Sequence, residues 1–374
     1  MSAPIVKKIE LFAIGPNGKK ISWSSFLGPM SEAMIVTRLT FDTGLEGIAG
    51  LTTYTEHEFD QTAFQSAALM APFILGRHLD EIPAIHHDMQ GKYVPLKHIS
   101  SSLFDIALHD AKAKSLGLPI YKMLGAKQEK IRAYASSPVF DSIEAYLNYC
   151  HEMLKQGFNA IKIHPPCVYQ TDRALVEALQ AEFGSKQIGW SLDVDANYTL
   201  DEALNMGKLL DEYEWEFFEE PLPDANLAGY QTLVSSLKLD VISGGNSLPH
   251  PHLIEYGLKH GCWNRSRFDV TSIGGFTNAM KVMQFSQAQN SLAEVQSWGY
   301  TLTQAANLHI MLAHKNCHYF EQAAPYEKYE FGAKQVFRPD SDGYIQAPTK
   351  PGLGVNLDWE ILTPFIYQTR EFNL

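Results

Sequence analysis

Lys162, His164, Asp195, Glu219, Asn246, Asp269, Gln296 and Glu321 carry the side chains of this sequence best suited to chemistry, and they recur at steps of about one strand and one helix. Each stands at or just past the end of a short apolar run. A single carboxylate in such a place means little, since loops are full of them. A register kept over seven consecutive runs is hard to obtain by chance. Adjacent steps hold Asp193-Val194-Asp195-Ala196-Asn197, Phe218-Glu219-Glu220-Pro221 and Gly244-Gly245-Asn246. Three oxygen ligands from neighbouring strands suit a hard cation such as Mg²⁺, which commonly keeps water or substrate in its other positions. Two carboxylates and one amide leave that site near neutral, ready for an anionic substrate oxygen.

The elements that must position these groups follow from the apolar runs. Ile131–Ala135, Ala160–Ile163, Trp190–Val194, Trp215–Phe218, Asp240–Ile242, Arg267–Asp269, Leu292–Val295 and His318–Phe320 alternate with helix-like stretches such as Ile143–Gln156 and Leu200–Tyr213. Eight strands in series with crossover helices predict a closed parallel barrel of the α/β class, whose C-terminal strand ends converge on one mouth. The first third differs. Ile5–Ile14, Ile35–Phe41 and Gly47–Tyr54 predict strands, and about Glu58–Ile74 and Ser101–Leu116 predict helices. That pattern makes residues 1–125 an α+β unit, 126–325 the barrel, and 326–374 an irregular tail packing back on the first unit.

A charge of −12 argues against nucleic acid or an anionic membrane surface as the main partner. The composition, 45% hydrophobic and 19% charged, is globular and not that of a disordered chain. Cys150, Cys167, Cys262 and Cys317 are far apart and form no C-x-x-C pair, so neither a thiolate zinc site nor a disulfide framework is expected. The opening MSAPIVKKIELFAIG has no long apolar core, and no uncharged run approaches a membrane span. A soluble cytoplasmic protein is expected.

The chain resembles the mandelate racemase subgroup of the enolase superfamily, including its sugar-acid dehydratases. The likeness is carried by Phe104-Asp105-Ile106-Ala107-Leu108, Gly117-Leu118-Pro119, Asp195-Ala196-Asn197, Glu219-Glu220-Pro221, Asp269 with Ile273-Gly274-Gly275, Ser297-Trp298-Gly299, Phe320-Glu321 and Pro351-Gly352-Leu353-Gly354. These matches span nearly the whole chain in the family's order. The resemblance implies an N-terminal α+β capping domain over a (β/α)₇β TIM-like barrel and one Mg²⁺ per subunit on Asp195, Glu219 and Asn246. It further implies a small carboxylate substrate whose α proton is removed to give an enediolate, and a homo-oligomer, dimer or octamer. Asn197, Gln296, Trp23 and Tyr54 are expected at the substrate, the last two from capping loops at about Gly18–Met30 and Thr52–Glu58, with His57 a further candidate.

Three departures from the family pattern bear on the reaction. Asn246 stands where most relatives carry an acid, as in the glucarate dehydratase branch. The usual Lys-x-Lys reads Lys162-Ile163-His164, which places Lys162 at the substrate carboxylate and offers His164, an imidazole that can exchange protons near neutral pH, as the base. Gln296 replaces the seventh-strand histidine that would pair with Asp269, and an amide can only hydrogen-bond. His309 and His314 lie in the following helix and read as structural. Glu321 is expected at the substrate carboxylate, kept protonated by its acidic surroundings and so a donor. Racemisation needs proton carriers on both faces of the α carbon, whereas dehydration can use one. The sequence therefore favours a sugar-acid dehydratase, with a racemase, epimerase or cycloisomerase as the alternative and a catalytically weak acid-binding relative as a third reading.

Overall fold

The computed structural model describes residues 3–16, 18, 20–22, 26, 28–92, 98–245 and 250–374. The β-branched runs near the start form β1 (Val6–Ile14), β2 (Glu32–Phe41) and β3 (Glu46–Tyr54), which pair antiparallel in that order. Three helices accompany the sheet: α1 (Phe59–Met70), α2 (Ile82–Lys92) and α3 (His98–Ser115). The second is not evident from periodicity, because Pro83, two histidines and Gly91 leave only a faint apolar stripe. Strand β3 is squeezed from both sides. A Cβ on Gly47 would sit 2.1 Å from the Ala107 carbonyl oxygen of α3, and one on Gly50 would sit 2.7 Å from Leu302. Residues three apart in a strand face opposite ways. The cap sheet therefore touches α3 with one face and the barrel with the other.

Eight short parallel strands build the barrel: β4 (Lys130–Ser136), β5 (Ala160–Ile163), β6 (Gly189–Asp193), β7 (Phe217–Glu219), β8 (Asp240–Ile242), β9 (Ser266–Phe268), β10 (Ala293–Val295) and β11 (Tyr319–Ala323). Ladders run in the order β11-β4-β5-β6-β7-β8 and again between β9 and β10. Hydrogen bonds outside any ladder span the two remaining seams, among them the Asn264 backbone N–H donating to the Val241 carbonyl at 2.9 Å and the Ser297 hydroxyl donating to the Glu321 carbonyl at 2.8 Å. Crossover helices open on recognisable caps, such as the Thr199–Glu202 capping box before Leu200–Glu212.

The tail is less irregular than its sequence suggests. Strand β12 (Tyr344–Gln346) pairs antiparallel with β4, and β13 (Ile366–Asn373) lies antiparallel along the outer edge of β1. Gln368, Arg370 and Glu371 deprive β13 of an apolar alternation, since much of the strand is exposed; the β1 edge selects its conformation.

Helix α3 ties these parts together through two buried carboxylates. Asp105 accepts from the Thr277 backbone N–H at 3.1 Å and its hydroxyl at 2.5 Å, at the start of the barrel helix Phe276–Ala288. Asp110 accepts from the Ile48 N–H at 2.9 Å and the Leu353 N–H at 2.7 Å. Replacing Asp110 by alanine strands two buried N–H groups and is expected to cost about 3 kcal/mol. Urea unfolding of Asp110→Ala beside Asp110→Asn, which keeps one acceptor, measures this; equal midpoints for the two variants would contradict it.

Candidate active site

Between the cap and the C-terminal strand ends lies a cavity of about 500 Å³. Its lining brings together Lys162, His164, Asp195, Glu219, Asp269, Gln296, Glu321 and Tyr54, all singled out from the sequence, and adds Asp193, Glu220 and Trp298. Asn197 is not part of this lining. Its amide donates to the carbonyls of Val194 at 3.1 Å and Asp195 at 2.5 Å, so it closes the turn that carries Asp195. Trp23 and Asn246 fall outside the described residues, as does the His57 side chain.

Beneath the mouth runs a second layer of charge. Inward-facing residues of a strand recur every second position, so Asp193 lies below Asp195, Arg267 below Asp269 and Glu294 below Gln296. All three are buried. The Lys162 ammonium contacts Glu219 at 2.8 Å, Glu321 at 2.8 Å and Asp193 at 3.2 Å. Arg267 Nη2 bridges Glu219 at 2.7 Å and Glu321 at 3.0 Å. Burial alone would lower the Lys162 ammonium, but Glu219, Glu321 and Asp193 raise it above its ordinary range. With three hydrogens and three carboxylates, Lys162 reaches a substrate oxygen only by releasing one of these partners. Glu321 departs from expectation. Burial pushes it up, yet Lys162 and Arg267 hold it down at about 2, so it stands as a carboxylate and an acceptor. The expected proton donor is replaced by an acceptor because Arg267, the first residue of the run Arg267–Asp269, adds a second cation beside it.

His164 is held from both ends. Its Nδ1 lies 2.7 Å from the Ser137 carbonyl, and its Nε2 lies 3.1 Å from Asp193 Oδ2. A carbonyl can only accept, so Nδ1 carries a hydrogen and Nε2 is the nitrogen that exchanges one. Asp193 accepts a hydrogen bond from that nitrogen once it is protonated. Burial raises Asp193, but Lys162 and His164 overcome this and hold it below the usual carboxylate range. The Trp298 ring meets the imidazole edge-on at 5.7 Å.

Across the mouth, Asp269 Oδ1 accepts from the Thr271 N–H at 2.7 Å, its hydroxyl at 2.9 Å and the Asn307 amide at 2.8 Å, and burial pushes the carboxyl up to about 6. The Gln296 carbonyl oxygen is buried with no hydrogen-bond partner among the described residues, an acceptor left for a ligand hydroxyl. His309 lies outside the cavity: it is buried, its Nδ1 accepts the Tyr121 N–H at 3.1 Å, and burial draws it down to about 4. Because the unfolded chain takes up this proton below about pH 6.5 and the folded one only near 4, stability is expected to fall with pH across that window, by up to ~3 kcal/mol. Urea unfolding at pH 7 and pH 5 should show a shallower acid loss in His309→Gln than in the wild type; parallel slopes would refute the assignment.

Asp195 and Glu219, two of the three residues expected to hold a cation, line the same cavity, with Glu219 already paired through Oε2 to Lys162 and through Oε1 to Arg267. No group of three His, Cys, Asp or Glu side chains among the described residues is arranged to hold a metal ion, and the third expected ligand, Asn246, lies outside them. The donor chemistry nevertheless fits a hard cation. Burial, with Asp224, Asp193, Asp195 and Glu219 nearby, raises Glu220 well above its ordinary range, and burial with Asp193 and Glu321 raises Glu219 against the pull of Arg267 and Lys162. A divalent cation relieves that crowding. The backbone is bent to present these groups: Asp195, Ala196 and Glu220 adopt left-handed φ values of 48°, 60° and 46°, conformations retained where surrounding structure over-determines them.

Residues 16–125 match the mandelate racemase/muconate lactonizing enzyme N-terminal domain, and residues 145–361 match the enolase C-terminal domain-like family. The chain belongs to the mandelate racemase/muconate lactonizing enzyme family of the enolase superfamily. A crystal structure of a mandelate racemase/muconate lactonizing enzyme from Pseudovibrio sp. is 35% identical, with a TM-score of 0.97 over 99% of this chain and 100% of that one. The 3,6-anhydro-alpha-L-galactonate cycloisomerase of Streptomyces coelicolor is 27% identical over 95% of this chain and 97% of its own. The L-talarate/galactarate dehydratase of Salmonella typhimurium LT2, crystallised with Mg and L-lyxarohydroxamate, shares the fold at 19% identity and a TM-score of 0.87, covering 100% of this chain and 95% of that one. Family members thus include dehydratases and cycloisomerases alike. No helix of the described residues is long and apolar enough to cross a membrane.

Proposed function

We propose that this family member removes the proton α to a carboxylate and eliminates the neighbouring hydroxyl, converting a 2,3-dihydroxy acid of the sugar-acid kind to its 2-keto-3-deoxy product. The single observation that carries this reading is the asymmetry of the mouth: β5 leads to His164, backed by Asp193 at 3.1 Å, whereas β10 leads to Gln296, which cannot exchange protons. Asp195, Glu219 and Asn246 would hold Mg²⁺, which, when bound, withdraws charge from the substrate carboxylate.

The chain's own groups do the rest. His164 Nε2 takes the α proton, and the Asp193 carboxylate stabilises the resulting imidazolium. The C–O bond at the β carbon then breaks, and His164 returns its proton to the departing hydroxide, giving water and an enol that tautomerises to the ketone. Glu321 is not assigned the acid role, since Lys162 at 2.8 Å and Arg267 at 3.0 Å favour its ionised form. Asp269 and Gln296 accept from substrate hydroxyls. The cycloisomerase or racemase alternative requires a second proton carrier, a role for which the described lining offers Asp269 through Oδ2, its Oδ1 being held by Thr271 and Asn307.

Incubating the protein with Mg²⁺ and a panel of hydroxy acids in D₂O tests the reading. The expected result is 2-keto product with deuterium at C3. Exchange at the α carbon without loss of hydroxide would favour the isomerase alternative, and no exchange with any acid would favour the binding one. The chain is expected to work as a homo-oligomer, which sedimentation would show.

A further inference from the structure

The cavity is divided by domain. Every carboxylate of the described lining, together with Lys162 and His164, belongs to the barrel. The cap contributes Met30, Leu51, Thr52, Tyr54, Phe59 and Ile99, with no charged side chain among them. Thr52 is already engaged, its hydroxyl accepting from the Tyr300 N–H at 2.9 Å and lying 3.2 Å from that of Thr303. Tyr54 is the other polar side chain that the described cap residues bring to this wall. Trp298 extends that wall from the barrel side, with its indole N–H directed to Glu32 at 3.4 Å. Two cations from outside the lining are committed to carboxylates: Lys328 to Glu32 at 2.6 Å and Lys20 to Glu56 at 2.8 Å.

A dicarboxylic substrate bound by one end would press its second carboxylate against this face. There it would lose water and meet no counter-charge among the described residues, which is costly. An alkyl or aryl group would instead bury against Met30, Leu51, Phe59 and Trp298 and gain from leaving water.

We propose that the site takes a monocarboxylate whose far end is apolar, with its hydroxyls confined to the carbons nearest the carboxylate, and that the apolar face of the described cap residues disfavours dicarboxylates. The inference rests on the proton-abstraction reading for which end of the acid faces the barrel. Its test separates the two. Oxamates share a carboxylate and adjacent carbonyl but carry no α hydrogen, so their binding reports the pocket and not the reaction. Calorimetry with the full chain and Mg²⁺ would compare N-butyl oxamate, N-benzyl oxamate and a carboxypropyl oxamate in which a carboxylate replaces the terminal methyl. The butyl or benzyl compound is expected to bind at least about 30-fold more tightly than the carboxypropyl one. Equal or tighter binding of the carboxypropyl compound overturns the proposal, and so does failure of all three to bind. Deuterium exchange decides the proton-abstraction reading independently.

Discussion

His164→Asn is expected to lower kcat/KM for α-proton exchange and for dehydration by about 10³-fold or more, with little change in the affinity for Mn²⁺ used as a probe of the cation site. The imidazole lines the cavity where it can carry a proton between carbon and oxygen, and its ring nitrogens lie against the Ser137 carbonyl and Asp193. Asparagine preserves a hydrogen bond but cannot exchange a proton at neutral pH. Asp193→Asn should produce a smaller loss, since it removes the group that stabilises the protonated ring while leaving the ring itself. Electron paramagnetic resonance of bound Mn²⁺ and single-turnover exchange in D₂O separate the effects. If His164→Asn retains exchange within a factor of ten, the base is another group and the one-sided mechanism fails.

Arg267→Met is expected to destabilise the fold by about 3–5 kcal/mol. The guanidinium is fully buried and bridges Glu219 and Glu321. Without it, two buried carboxylates share the Lys162 ammonium with Asp193. Removing one of those charges should then recover part of the loss, so Arg267→Met/Glu321→Gln is expected to be more stable than Arg267→Met alone by at least ~1 kcal/mol. Urea-unfolding midpoints with a chelator present provide the comparison. Additive destabilisation in the double variant would show that Arg267 acts through packing and not through charge.

The mouth of the barrel was legible from sequence because each reactive group terminates an apolar run, and strand ends in this architecture converge. Lys162, His164, Asp195, Glu219, Asp269, Gln296 and Glu321 accordingly line one cavity. The layer below was not legible. Arg267 opens the run Arg267–Asp269 with nothing in its spacing to mark it as an inward cation, and Asp193 looked like a neighbour of Asp195 although it is the partner of His164. The signal that finds them is simple: a charged residue two positions before a mouth residue shares its face. The ionisation of Glu321 could not be foreseen either, because it depends on a cation contributed from a distant strand. Helix α2 and strand β13 escaped for a different reason, namely that tertiary pairing and not apolar periodicity selects their conformation.

Strand β13 also gives the chain an order of assembly. The edge of β1 that it covers is synthesised before the barrel, whereas residues 366–373 follow only after the barrel strands have been made. Throughout synthesis β1 must therefore keep an open row of backbone donors and acceptors, the kind of edge on which unfinished chains stick to one another. A nascent or proteolytically shortened molecule would hold all the barrel residues of the reactive layer but lack the last seam of the lid above it.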